Sequence, residues 1–186
     1  PGDRRRCRRE RSLADSAIMR LQNKTVRSTG GARVIGAAIG KAFVREGAKV
    51  MLTDINDSTG EVTASDSGAA YHHLDLTSEV DWERIAEASP DIDILVNNAG
   101  ITGFEGSPTP QDPETAALAD WRRVHATNLD GTFLGCRYAI NAMKAGSTGS
   151  IINIASRSGL VGIPGAAAYA SSKAAIINHT RTVALY

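Results

Sequence analysis

Beyond residue 18, apolar positions along the chain switch between a two-residue and a helical period. Lys24 to Thr29 reads as a short strand, Ile35 to Glu46 as an amphipathic helix and Ala48 to Thr53 as a second strand. Gly47 stands where a helix end calls for positive φ. The segment is therefore a βαβ unit. Ala70 to Leu74 supplies a third strand. A helix from about Glu79 to Ala88 follows, its start marked by Ser78 and Asp81 in capping-box spacing. Ile92 to Asn98, IDILVNN, is apolar almost throughout rather than alternating, as a strand buried on both faces of a parallel sheet must be.

The polar, proline-containing loop GFEGSPTPQDPE leads into a long helix predicted near Thr115 to Met143. SIINIA then forms a strand and Ala168 to Leu185 a final helix. With right-handed crossovers these elements build an α/β, Rossmann-like doubly wound parallel sheet with helices on both faces. No internal repeat or low-complexity run interrupts residues 19–186, which read as a single nucleotide-binding domain.

Composition fits that picture, with 42% apolar and 22% charged residues in a chain of 186. The formal charge of +1 conceals an asymmetry, because the run PGDRRRCRRER concentrates arginine in the first eleven positions. Residues 1–18 read as a solvated, disordered or non-native arm, and the remainder is slightly acidic. No basic face is left for a nucleic-acid backbone, so a nucleic-acid partner is not expected. Cys7 and Cys136 are too few for a disulfide framework, and no apolar stretch reaches the ~18 residues that span a bilayer. These features predict a cytoplasmic setting without a membrane partner. His72 and His73 fall on opposite faces of a strand while His125 and His179 stand alone, so no metal site is expected.

Candidate chemistry begins at the first strand-to-helix turn, Thr29-Gly30-Gly31-Ala32-Arg33-Val34-Ile35-Gly36. Glycines there let backbone N–H groups at a helix N-terminus approach a pyrophosphate, although such a cluster also serves as a plain tight turn. Asp54 ends the second strand about twenty residues on, where a carboxylate can accept both adenosine ribose hydroxyls and repel a 2′-phosphate. It can equally cap the turn DINDS. In Tyr169-Ala170-Ser171-Ser172-Lys173 the phenol and ammonium lie at i and i+4 on one helix face. The ammonium stabilises phenolate, bringing a group whose ordinary pKa is about 10 towards a working range for proton exchange. Ser156, thirteen residues earlier at the end of the preceding strand, can hydrogen-bond the same substrate oxygen.

Taken together, TGGxxxIG at Thr29 to Gly36, NNAG at Asn97 to Gly100, NLDGTF at Asn128 to Phe133, Ser156 and YASSK resemble the short-chain dehydrogenase/reductase family. The resemblance spans residues 19 to 186 and is similar to the branch of hydroxysteroid, cyclic-alcohol and glucose dehydrogenases. It implies an oxidoreductase that moves hydride between NAD(H) and a secondary alcohol or ketone. Tyr169 would be the acid/base, Lys173 its activator, Ser156 the oxygen binder and Asn128 the holder of a water that relays protons to Lys173. The same resemblance places Gly30, Arg33, Ile35, Gly36, Asn98 and Gly100, with Tyr169 and Lys173, against the cofactor. Asp54 would select NAD over NADP, and Asp75 and Leu76 would flank adenine. Family members usually form homodimers or homotetramers through the long central helices.

The chain also departs from the family pattern. Val34 occupies a glycine position of the turn, where a β-branched residue is expected to strain the backbone and intrude on the pyrophosphate. Arg27 and Ser28 interrupt a strand that should be apolar, so Arg27 is paired, the strand is displaced, or the sequence here is imperfect. The helix regions after Asp54 and Asp75 look short. Tyr186 follows just after the catalytic helix, so the family's last two strands and substrate-closing segment are expected to be missing. Two other readings therefore stay open: a catalytically silent nucleotide-binding module, and a non-functional fragment.

Overall fold

A computed structural model describes residues 19–106, 109–146 and 148–186; the Arg-rich arm lies outside the described residues. Five parallel strands form one sheet: β1 (Thr25–Thr29), β2 (Lys49–Asp54), β3 (Ala70–His73), β4 (Ile94–Asn97) and β5 (Ser150–Asn153). Their order is β3-β2-β1-β4-β5. The helices are α1 (Val34–Arg45), α2 (Asp57–Ser67), α3 (Glu79–Ala88), α4 (Leu118–His125), α5 (Gly131–Met143) and α6 (Ala167–Val183).

Alternation along the strands divides the core. Val26, Val50, Leu52 and Val96 face α1 and α2, whereas Met51 and Leu95 face α3 and α5 with Leu74, Trp82, Leu134 and Tyr138. Leu52 and Leu95 are fully buried, and each such side chain contributes about 1.5 to 3 kcal/mol. Gly47 closes α1 at φ +86°, as its position predicts.

Arg27 pairs in register with Met51 and Leu95, so its side chain enters the α3/α5 core. The strand is not displaced. Only 6% of Arg27 is exposed; its Nη1 donates to the Val26 carbonyl at 3.1 Å, and its buried Nε has no partner. Burial pulls the guanidinium below its usual range, against a smaller opposing effect from the Tyr138 hydroxyl. The neighbouring Ser28 hydroxyl is likewise buried without a partner.

Two elements differ from the sequence expectation, and a third was expected only as a short helix region. That third, the segment after Asp54, forms an eleven-residue helix, α2, in spite of its polar DSTGEVTASDS sequence. Caps hold it: Asn56 Oδ1 accepts from Thr59 N at 3.2 Å, and Gly68 ends it at φ +75°. The long helix expected from Thr115 starts at Leu118 instead, because Asp112 holds Thr115 in a turn through its N–H (2.9 Å) and hydroxyl (2.6 Å). That helix is then interrupted by a wide π turn, Ala126–Asp130, with Asn128 inside it. The capping box of α3 is half made. Ser78 Oγ accepts from Asp81 N at 3.2 Å, but the Asp81 carboxylate reaches the Asp75 N–H (3.1 Å) rather than that of Ser78.

Candidate active site

Strand order reverses between β1 and β4, and the loops that leave their carboxyl ends part there. The opening is a cleft of about 540 Å³. Gly30, Arg33, Ile35, Gly36, Asp54, Asp75, Leu76, Asn98 and Gly100 all line it. Thr53, Ile55, Ile101, Arg123 and Thr127 also line it, and the sequence reading missed them. Arg123 and Thr127 share a face at i,i+4, a spacing too common on helices to single them out.

Two glycines in the turn cannot be replaced without moving backbone. A Cβ on Gly36 would lie 2.0 Å from the Gly30 carbonyl oxygen, and one on Gly30, at φ +70°, would lie 2.8 Å from Ala99 Cα. Val34 corrects an expectation. It is the first residue of α1 and does not have positive φ, so its backbone is unstrained, and its side chain is 86% exposed along the cleft. The helix start accepts valine because helical φ suits any L residue.

The Asp54 carboxylate caps its own turn, as one reading of it expected, and also reaches the glycine turn. Its Oδ1 accepts from Asn56 N at 3.0 Å, capping its own turn, while Oδ2 accepts from Ala32 N at 3.0 Å and so faces the glycine turn. Asn98 ties β4 to that turn: Nδ2 donates to the carbonyls of Thr29 (2.9 Å) and Gly30 (3.3 Å). Its backbone N–H donates to Thr29 Oγ1 at 3.1 Å, which leaves the carbonyl as the backbone group able to face a ribose. Asp75 Oδ1 accepts from the Thr77 N–H and hydroxyl, both at 2.8 Å, and Leu76 is buried with its carbonyl held by Trp82 Nε1 at 3.1 Å. These partners fix the loop against which adenine was expected.

Tyr169 lies in the first turn of α6 and Lys173 one turn later, with its Nζ 5.8 Å from the Tyr169 ring centroid. Lys173 is only 4% exposed and donates to the Ile154 carbonyl at 2.7 Å. Burial lowers its pKa. Ser156 stands three residues past β5, not at its end. There it starts a 3₁₀ turn, with Oγ accepting from Ser158 N at 3.1 Å and its own proton available to a ligand. The turn presses on α6, since a Cβ on Gly159 would meet the Lys173 carbonyl carbon at 2.7 Å.

Asn128 is fully buried. Its Oδ1 accepts from Ile101 N at 2.8 Å, and Nδ2 donates to the Ile101 carbonyl (2.9 Å) and to Ser172 Oγ (3.0 Å). Ser172 in turn donates to the Tyr169 carbonyl at 2.8 Å, so a residue unmarked by the sequence motifs joins Asn128 to α6. Tyr169, Lys173 and Ser156 do not line the cleft themselves, and Gly100 is where the two parts meet. A Cβ there would sit 3.0 Å from Asn128 Oδ1 and 3.5 Å from Lys173 Nζ, so these two groups pack directly against the glycine. Among the described residues no group of three or more His, Cys, Asp or Glu side chains could hold a metal, and no helix is long and apolar enough to cross a membrane.

The family profile described as short chain dehydrogenase matches residues 24–186. The chain belongs to the short-chain dehydrogenase family. Members similar to it include the 3-beta-hydroxysteroid dehydrogenase of Comamonas testosteroni, 40% identical over 172 residues, which cover 89% of this chain and 65% of that protein. The 2-(S)-hydroxypropyl-CoM dehydrogenase 3 of Xanthobacter autotrophicus is 42% identical over 174 residues, 89% of this chain and 66% of that one. A solved short chain dehydrogenase/reductase family protein superposes with a TM-score of 0.82 at 34% identity, covering 89% of this chain and 69% of the other. The chain thus spans about two thirds of the length of these short-chain dehydrogenases.

Proposed function

We propose that this chain binds NAD(H) in the cleft at the switch point and takes part in hydride transfer between it and a secondary alcohol or ketone. The observation that carries the reading is that the cleft, lined by nine of the expected cofactor residues, reaches Asn128 and Lys173 at Gly100, with Tyr169 beside Lys173. The residues fit a dinucleotide. Gly30 and Gly36 make room for the pyrophosphate at the start of α1, Arg33 offers it a cation, and the Asp54 carboxylate offers ribose two acceptors where a 2′-phosphate would be repelled. NAD is accordingly the preferred form. When bound, the nicotinamide supplies the hydride acceptor or donor.

The protein's own groups handle the proton. Tyr169 gives a proton to, or takes one from, the substrate oxygen, while the Ser156 hydroxyl donates a hydrogen bond to the same atom. Lys173, fixed by Ile154, stabilises negative charge developing on the phenolic oxygen and keeps donors free for the nicotinamide ribose. Asn128 holds the loop at Ile101 and, through Ser172, the helix of Tyr169; a water at this junction would connect Lys173 to solvent. We assign self-association, as a dimer or tetramer, to α5 and α6, where Phe133 is 46% exposed beneath Arg137 and beside His179.

The experiment combines NADH titration with secondary-alcohol-dependent NAD reduction, for the chain and for Tyr169→Phe. Binding in both with turnover only in the unsubstituted chain is expected; turnover retained by Tyr169→Phe would overturn the acid/base assignment. Val34, exposed where the pyrophosphate would lie, favours a second reading as a silent nucleotide-binding module, which binding without turnover would support.

A further inference from the structure

Asp54 is held from a direction the sequence does not reveal. Its backbone carbonyl accepts from Leu74 N at 3.0 Å and from the Tyr71 hydroxyl at 2.7 Å, so both lone pairs are filled from β3 and the residue that follows it. The same hydroxyl lies 2.8 Å from Oδ1 of Asp57, the first residue of α2, and its single proton is shared between the two acceptors. His73 Nδ1, at 2.8 Å, reaches the same Asp57 oxygen, and its other nitrogen lies 3.8 Å from the Asp81 carboxylate that accepts from Asp75 N. Asp54 and Asp75, at the adenosine end of the cleft, are therefore joined by a run of polar contacts through Tyr71, Asp57, His73 and Asp81.

Tyr71 is seated for this task by its ring as well as its hydroxyl. A Cβ on Gly60 of α2 would lie 2.1 Å from Tyr71 Cε2, so the helix carries glycine where the ring lies against it. Burial, and then the Asp57 carboxylate, push the phenol's pKa up, which keeps the proton that it donates. The hydrogen bond from His73, with that from Tyr71, holds the Asp57 carboxyl below its usual range, which keeps it an acceptor.

We propose that Tyr71 is a positioning residue for cofactor selection: by clamping the Asp54 carbonyl to the start of α2 it aims the Asp54 carboxylate at the adenosine ribose. The proposal rests on the reading of the cleft as a nicotinamide nucleotide site. Tyr71 does not touch the nucleotide and acts through Asp54. Without its hydroxyl the turn from Asp54 to Asp57 loosens and the carboxylate, still held by Ala32 N and Asn56 N, shifts with it, so the ribose hydroxyls meet a less well placed acceptor and a 2′-phosphate is repelled less.

The test is to measure Kd for NADH and for NADPH, by fluorescence titration, with the unsubstituted chain and with Tyr71→Phe. NADH binding is expected to weaken about five- to tenfold in the variant, the range of one lost hydrogen bond, while NADPH binding stays or tightens. The preference for NADH then falls by at least that factor. A merely structural role would lower Tm and weaken both nucleotides in parallel, so an unchanged Kd ratio overturns the proposal. If Tyr71→Phe does not fold, Gly60→Ala decides by the same ratio, because its Cβ displaces the ring and leaves the hydroxyl intact. An unsubstituted chain that binds both nucleotides equally also overturns the proposal while leaving the nucleotide site standing. If it binds neither, the cofactor reading itself falls, and the role of Tyr71 with it.

Discussion

Arg27 is the residue least suited to its surroundings, a cation in the middle of a central strand with one carbonyl as its recorded hydrogen-bond partner and a buried Nε without any. Replacing such a buried charge by an apolar group of similar volume is often stabilising, by about 1 to 4 kcal/mol. Arg27→Met is expected to raise Tm in a thermal melt; a lower Tm would show that the contact with Tyr138 outweighs the cost of burial. Lys173 allows a test with a definite sign. Burial lowers its folded pKa, so between that value and the ordinary lysine range the unfolded chain binds more protons, and stability contributed at this site rises with pH. Relative to Lys173→Met, the unsubstituted chain is expected to gain stability in denaturant melts as pH rises towards the ordinary lysine range, about 10. A difference that stays flat or shrinks would contradict the burial argument. Gly30, Asp54, Tyr169 and Lys173 were legible in the sequence because their chemistry is local: a turn, a strand end, one helical repeat. Tyr71 and Ser172 were not, because their roles come from partners 17 and 44 residues away along the chain, Asp54 for one and Asn128 for the other.

At the scale of elements, the five strands could be read from their periodicity and, at Ile94–Asn97, from an unbroken apolar run, and the glycines marked the turns; the order of the strands came only with the fold. What escaped was set by side-chain contacts across the fold. The polar helix α2 depends on its caps and on the ring of Tyr71 against Gly60, and the π turn surrounds an Asn128 anchored to Ile101 and Ser172. The start of α1 is where the Val34 expectation separates into two parts. The backbone strain is absent, but the exposed side chain still stands where the pyrophosphate would approach. Val34→Gly is therefore expected to tighten NADH binding about tenfold, an intrusion of about 1.4 kcal/mol. Glycine's poor helix propensity should lower Tm at the same time. Weaker NADH binding by the glycine variant would show that valine is accommodated.

Across the whole molecule, β5 is an edge: among the described residues it pairs only with β4, and Ile152 on it is 40% exposed. An unprotected parallel edge with an exposed β-branched residue invites pairing with another chain. Ile152→Lys is expected to leave the dimer or tetramer assigned to α5 and α6 intact and to remove only larger, edge-paired species in sedimentation velocity; larger species that persist in the variant would contradict pairing at this edge. Everything that the account assigns to the cleft, from Gly30 to Gly100, stands or falls with the binding of a nicotinamide dinucleotide there. The direct measurement is NADH fluorescence titration of this chain beside Gly36→Val, whose Cβ would lie 2.0 Å from the Gly30 carbonyl oxygen and so forces the turn apart. Saturable, one-to-one binding is expected of the unsubstituted chain, and Gly36→Val, still folded by circular dichroism, is expected to have lost it. No saturable binding, or equal binding by the two folded proteins, would contradict this reading of the cleft.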